Sequence, residues 1–316
     1  AIVKRKTFSV PVRLLRKAMF KKVFPSRQAM ALTGNAVWLY EKSGVRKAAH
    51  KSGMTNKLPY HLGAFEAIMP QAVSPKERKK TPNRIKAKGE KKYTVAFFTG
   101  CIMDAMFQRI NRLSIELLAE AGCDVVVIQK QTCCGALHAH SGEMEEAKRL
   151  AKQNIAAFEE ENVDFVVNNA GGCGAMLYEY GHLLASDQEW AARASAFSEK
   201  SKDISEVLIS CGGLPNLRSN RKERVTYQRS CHMTNVQKVT KPPVDLLKSI
   251  SGIQLIEMER ADMCCGSAGI YNIVNYDASM EILDEKMKDT KATGASVVIT
   301  TNPGCLLQMK LGIERE

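Results

Sequence analysis

The sequence predicts an α/β protein: two tandem βαβαβ cysteine-rich repeats, each built on a parallel sheet, preceded by a basic helical segment. Three observations carry that expectation. The triplet Cys-Cys-Gly occurs twice, as Cys133-Cys134-Gly135 and Cys264-Cys265-Gly266. Each triplet follows a lone cysteine, Cys101 or Cys231, with 31 and then 32 residues between, and each precedes another, Cys173 or Cys305, with 38 and then 39 between. Runs of β-branched and aromatic residues alternate with stretches of helical periodicity, the pattern of strand, crossover helix and strand. A motif repeated at matched offsets marks a duplicated structural unit.

The boundaries follow from composition. Residues 1–70 read as a basic helical segment, 71–92 as a charged linker, 93–210 as the first cysteine-rich domain, 211–222 as a connection and 223–316 as the second. Val12, Leu15, Met19, Phe20, Val23 and Phe24 recur at helical spacing among Arg13, Arg16, Lys17, Lys21 and Lys22, and Pro25 stops that helix. Its basic amphipathic face suits a membrane surface or a docking partner. The ordinary behaviour of surface helices favours a plainer role, with the apolar face on the next domain. A second helix is expected from Arg27 to Lys42, then short helical pieces to residue 69. Ser74 to Lys92 is nearly all Lys, Arg, Pro and Glu, the composition of a flexible linker.

In the first repeat, strands are expected at Tyr93–Phe98, Asp124–Ile128 and Asp164–Val167. Helices lie between them, one with Ile110, Leu113, Leu117 and Leu118 on a face and one from Glu143 to Glu160. The second repeat has strands at Arg224–Gln228, Gly252–Glu257 and Ala295–Thr300. The Rossmann-like order makes both sheets parallel and puts every repeat cysteine just past a strand's C-terminal end, where open parallel sheets place ligands. Neighbouring glycines would let backbone N–H groups approach the sulfurs.

The chain has 316 residues and a net charge of +13. The charge is uneven: residues 1–92 contain 23 Lys and Arg against 4 Asp and Glu, while the cysteine-bearing remainder contains 23 against 29. That distribution argues against a nucleic-acid partner, whose footprint should lie on the functional fold. No apolar run reaches 18 residues and no apolar segment follows the charges at Ala1–Lys6, so a cytoplasmic protein is expected. Ten cysteines in a reducing compartment point to metal ligation rather than disulfides.

Thiols gathered in fours point to iron–sulfur clusters. Candidate ligands are Cys101, Cys133, Cys134 and Cys173 in one set and Cys231, Cys264, Cys265 and Cys305 in the other. Cys123 and Cys211 have no counterpart between repeats and read as a buried small residue and a linker thiol. His138, His140 and His232 lie beside the motifs, where a supporting role is commoner than ligation.

These residues resemble the CCG cysteine-rich domains of the heterodisulfide reductases and their relatives. Within that group, Cys133-Cys134-Gly135-Ala136-Leu137-His138-Ala139-His140, Asn169-Ala170-Gly171-Gly172-Cys173-Gly174 and Cys264-Cys265-Gly266-Ser267-Ala268-Gly269 are similar to the glycolate oxidase iron–sulfur subunits, with the lactate-utilisation iron–sulfur proteins near neighbours. The resemblance runs through residues 93–316 and into the N-terminal helices. It implies an electron-transfer subunit with up to two 4Fe-4S clusters. It also implies a flavoprotein partner carrying FAD that oxidises glycolate or a similar 2-hydroxy acid, and a membrane or quinone acceptor. The basic N-terminal helices would make peripheral contact with the inner face of the cell membrane. Two departures stand out. The family's ferredoxin-like domain, with its two C-x-x-C-x-x-C-x-x-x-C-P runs, is expected as a missing segment or a separate subunit. No second cysteine follows Cys173 or Cys305 as C-x-x-C, so four-thiolate ligation is the economical assumption. The rival readings are a disulfide or quinone reductase with a catalytic cluster, and a structural zinc protein.

Overall fold

The computed structural model describes residues 10–78, 82–215 and 218–316; the expectations placed on Ala1–Lys6 and on residues 79–81 lie outside them. By contact the chain divides into two units. The first gathers residues 1–48, 70–168 and 176–202, and the second 49–69, 169–175 and 203–316.

The first unit is organised by a five-stranded sheet in the order β1-β3-β2-β4-β5. Its strands are β1 (Arg84–Ile85), β2 (Tyr93–Phe97), β3 (Cys123–Val127), β4 (Phe165–Asn168) and β5 (Ser201–Asp203). β2 runs parallel to both β3 and β4, with Val95 opposite Val125 and Phe165. Val95, Ala96 and Phe97 are fully buried, as expected for a parallel strand covered on both faces. Beside the sheet Phe98 stacks on Phe158, Phe158 meets Phe197 edge-on, and Phe197 stacks on the buried Tyr180.

The stretch expected to be a flexible linker is tied down instead. Pro75–Arg78 forms a helical turn, and β1 pairs antiparallel with β3. The physical cause is side-chain anchoring: Arg78 donates to the carbonyls of Asp104 and Ala105 at 2.9 and 3.0 Å, and the Ala87 N–H donates to Asp124. Its charged side chains stay in water all the same: Arg84, Lys86, Lys88, Lys91 and Lys92 are exposed.

The N-terminal helices form where periodicity placed them, at Val10–Ala18 and Arg27–Lys42. Ser26 caps the second through its hydroxyl, which accepts from the Ala29 N–H at 3.2 Å. Their packing is thinner than an amphipathic stripe suggests. Phe20 and Met30 are buried, while Leu14, Leu15, Leu32 and Leu39 stay exposed.

The second unit carries a three-stranded parallel sheet in the order β7-β6-β8, from β6 (Arg218–Gln228), β7 (Ser251–Leu255) and β8 (Val297–Thr300). The order repeats that of β3-β2-β4. The strand ahead of the lone cysteine is central, and those ahead of the cysteine pair and of the last cysteine flank it. β6 already begins at Arg218, inside the tract expected as a connection, with a register irregularity between Arg218 and Glu223. The core joins Ile68, Cys265, Met280, Leu283, Met287, Cys305, Met309 and Leu311. Ile68 thus comes from the N-terminal quarter; its carbonyl accepts from Lys310 Nζ at 3.1 Å, and His61 stacks on Tyr276 at 3.8 Å.

Candidate functional site

Each repeat cysteine follows a strand end. Cys101 opens the helix Cys101–Met106 after β2, Cys133 and Cys134 precede the helix Ala136–His140 after β3, and Cys173 lies in the helix Gly171–Tyr178 after β4. In the second repeat Cys231 follows β6, Cys264 and Cys265 follow β7, and Cys305 lies in the first turn of Pro303–Arg315 after β8.

In the first unit Cys101 Sγ lies 3.3 Å from Cys133 Sγ. The turn then directs backbone N–H groups at sulfur: Gly135 to Cys133 Sγ and Ala136 to Cys134 Sγ, both at 3.5 Å. Asn154, fully buried on the helix Met144–Glu159, fixes the pair. Its Oδ1 accepts the Thr132 N–H at 2.8 Å, and its Nδ2 donates to the Cys133 carbonyl and to Tyr180 Oη, each at 3.0 Å. Tyr180 in turn donates to the Cys134 carbonyl at 2.8 Å. Gln131 accepts the Thr99 N–H at 2.8 Å and Asn111 donates to the Thr99 carbonyl at 2.9 Å, which steadies the approach to Cys101. Part of this site is roofed by Phe24, Arg27 and Met30, which with Cys101, Asp104 and Cys133 enclose about 10 Å³ of free space.

In the second unit Cys231 lies close to Cys264, Cys264 to Cys265 and Cys265 to Cys305. The Gly266 N–H donates to Cys264 Sγ at 3.4 Å, as Gly135 does in the first repeat. Asn302 Nδ2 donates to Cys305 Sγ at 3.4 Å, while its Oδ1 accepts the Gly172 N–H at 3.0 Å. The loop bearing Cys173 is further anchored by Gly171 N–H to the Thr301 carbonyl at 3.0 Å. Cys173 therefore groups by contact with the second unit, although its repeat is the first. Behind the pair, Ser279 donates to the Gly266 carbonyl, Gln308 to Ser279 and Asn272 to Gln308.

Protonation follows contact. Cys264 is held well below the ordinary thiol range by hydrogen bonds from Cys231 and Cys265. Cys231 and Cys265 are pushed up by sharing their protons with a neighbouring sulfur and by burial. Cys133 is raised by its contacts with Cys101 and Cys134, then by burial. Sulfurs this close cannot all ionise together unless a multiply charged cation sits among them. An all-thiol donor set with N–H groups aimed at sulfur fits an iron–sulfur group in its chemistry. Among the described residues no three His, Cys, Asp or Glu side chains converge as a single metal ion would require.

The other candidates make contacts of their own. His138 is buried and its Nε2 donates to the Phe20 carbonyl at 2.7 Å. His232 Nδ1 lies 3.6 Å from Cys231 Sγ. Cys123 is buried within β3, and Cys211 is buried at the end of the helix Ile204–Ser210. Sequence reasoning missed Asn154, Tyr180, Ser279 and Asn302. Asn154 had a legible signal, a polar residue in register with the apolar stripe Ala147, Ala151 and Phe158.

Two parallel repeats, each ending its strands in sulfur, define a double cysteine-rich-domain protein. The family model of the CCG cysteine-rich domain matches residues 95–178 and 225–310, and that of the linker region of the glycolate oxidase iron–sulfur subunit matches residues 11–69. The chain belongs to the glycolate oxidase iron–sulfur subunit family. It is 51% identical over all 316 residues, covering 71% of the relative, to a protein of Bacillus subtilis (strain 168) described as a probable glycolate oxidase iron–sulfur subunit. It is 36% identical over 222 residues to a lactate utilization protein A of Oceanobacillus iheyensis, covering 90% of that relative. A protein of the same description from Halalkalibacterium halodurans is 33% identical over 222 residues.

Proposed function

We propose that this chain is the iron–sulfur electron-transfer subunit of a complex that oxidises a 2-hydroxy acid of the glycolate class. Cys101, Cys133, Cys134 and Cys173 hold one 4Fe-4S cluster, and Cys231, Cys264, Cys265 and Cys305 hold the other. Such a cluster, when bound, supplies reversible one-electron chemistry. A flavoprotein partner carrying FAD delivers the electrons, and the acceptor is a membrane component or quinone. A ferredoxin-like domain or subunit belongs to the same assembly. The exposed Val10 and Leu14 beside Arg13 and Lys17 suit peripheral contact with an anionic inner membrane face in the cytoplasm. Among the described residues no helix is long and apolar enough to cross a membrane.

The chain's own residues prepare the sites. The thiolates ligate, and the N–H groups of Gly135, Ala136 and Gly266 and the Asn302 amide stabilise their charge. Ile68, Met280 and Met309 keep water from the buried side of the second set. The observation that carries the reading is the duplication itself, two thiol sets at equivalent strand ends with the same N–H-to-sulfur turn. Anaerobic purification followed by iron, sulfide and zinc analysis and a visible spectrum tests it. A brown protein with iron and sulfide in matching amounts is expected; colourless protein with stoichiometric zinc would defeat it. Assay with the flavoprotein partner on glycolate and on lactate then separates the two substrate classes.

A further inference from the structure

The two repeats differ in charge on the buried face of the helix that follows the cysteine pair. The helices Met144–Glu159 and Tyr276–Ala292 follow the two Cys-Cys-Gly turns, and each turn's glycine packs on its helix, Gly135 on Ala147 and Gly266 on Ser279. Aligned on those contacts, the buried Ala151, Asn154, Ile155, Ala157 and Phe158 fall on Leu283, Lys286, Met287, Asp289 and Thr290. At two of these places a neutral residue becomes charged: Asn154 corresponds to Lys286, and Ala157 to Asp289.

Both members of the first pair are fully buried. Asn154 grips the backbone at Thr132 and Cys133 through its amide. Lys286 Nζ donates to the Arg260 carbonyl at 2.5 Å and stands 3.5 Å from Asp289, whose carboxylate accepts the N–H groups of Glu259 and Arg260 at 3.0 and 3.1 Å. The loop into Cys264 is therefore fixed by an ion pair where the loop into Cys133 is fixed by an amide. An amide suffices for fixing, and a buried ion pair carries a large desolvation penalty. The extra charge calls for another role.

We propose that Lys286 is an electrostatic positioning residue that sets the reduction potential of the group held by Cys231, Cys264, Cys265 and Cys305 above that of the first set. The proposal rests on the iron–sulfur reading above. Reduction adds negative charge to such a group, and a cation in the low-dielectric interior favours the more negative state. Two backbone N–H groups engage the Asp289 carboxylate and offset its charge, while the Lys286 ammonium interacts electrostatically with Cys265. Burial lowers the Lys286 pKa, against the opposing pull of Asp289, Cys265 and Asp262.

The test is an anaerobic redox titration followed by paramagnetic resonance on the reconstituted full chain. Cys133→Ser and Cys264→Ser assign the two signals. In the wild type the second-set signal should have the more positive midpoint. Lys286→Asn should shift its reduction equilibrium toward the oxidised form about tenfold, about 59 mV for a one-electron couple, and leave the first-set midpoint in place. An unmoved second-set midpoint, or a wild-type order with the second set more negative, overturns the proposal. Should Lys286→Asn lose its cluster, Lys286→Met is read the same way; should both lose it, the wild-type order decides. A wild type with no iron signal is a different result, the failure of the iron–sulfur reading itself.

Discussion

Asn154 shows how much of the first thiol set depends on one neutral side chain. It serves the Thr132 N–H, the Cys133 carbonyl and Tyr180 Oη at once, all away from water. Asn154→Ala would strand several buried groups, at about 1–3 kcal/mol for each left without a partner. Tyr180→Phe removes the bond to the Cys134 carbonyl and the acceptor for one Asn154 N–H, but leaves Asn154 on Thr132 and Cys133, and should cost less, on the order of 1–2 kcal/mol. Urea unfolding under anaerobic reducing conditions should rank the two in that order; equal losses would mean the network is not centred on Asn154. Asp203 presents the opposite case, a buried carboxyl in the second unit. One oxygen caps the helix Ile204–Ser210 by accepting the Ser205 N–H at 2.8 Å, and the other is buried with no hydrogen-bond partner. Burial pushes its pKa up to about 6. The folded chain thus grips this proton more tightly than the unfolded chain, so stability from Asp203 is full at low pH and is lost as pH climbs from about 4 through about 6. Asp203→Asn keeps a capping acceptor without the buried charge. Denaturation midpoints at pH 4, 6 and 8 should show the variant gaining on wild type progressively, most of the gain falling between pH 4 and pH 6 and totalling up to about 3 kcal/mol.

At the scale of single elements, the Cys-Cys-Gly turn recurs with one conformation and two tolerances. Gly135 and Gly266 have φ of +88° and +89°, a region that side chains with a Cβ rarely adopt. A Cβ on Gly135 would meet Ala147 at 3.4 Å, whereas one on Gly266 would meet the Ser279 carbonyl at 2.5 Å. Gly135→Ala should therefore cost about 1–2 kcal/mol from backbone strain alone. Gly266→Ala must also move the helix and should abolish the second-set signal; comparable stability in the two variants would refute the contrast. Such turns were legible because chemistry restricts them: paired thiols and a glycine leave few alternatives. The strands were legible too, since Val125, Val126 and Val127 favour no other element in that setting. The helix faces were less so. In the helix Gln108–Glu120 the expected Ile110 and Leu113 stay exposed, and the buried stripe runs through Asn111, Ile115 and Leu118 because Asn111 is needed at the Thr99 carbonyl. Hydrophobicity scores Asn111 as surface, and only the loop it serves explains its burial. The same blindness hid Lys286, an ordinary helix former until its burial is seen.

Over the whole molecule, the N-terminal quarter is shared out rather than standing as a segment of its own. Residues 19–30 roof part of the first thiol set through Phe24, Arg27 and Met30, and residues 61–68 complete the core behind the second through His61, Phe65 and Ile68. Each thiol set is thus roofed or backed by a piece of chain that periodicity alone read as a basic helical preamble. Groups that bind only the folded chain stabilise it by mass action, and thiolate ligation releases protons on binding. Stripping iron with a chelator should therefore lower the thermal midpoint of the reconstituted protein by several degrees, with the loss reversed by anaerobic iron and sulfide. An unchanged midpoint would mean that the thiol sets contribute nothing to folding.

The interleaving of the second unit bears on how the chain is made. Ile68 and Lys310, which share a hydrogen bond, are 242 positions apart. On the ribosome, residues 49–69 emerge long before their partners and must wait unsatisfied, whereas the first unit can close once residue 202 is out. A nascent chain stalled near residue 240 should resist protease across β2 and β3 and be cut between Ala49 and Met69. Protection of that stretch in the stalled chain would show that it finds shelter during synthesis.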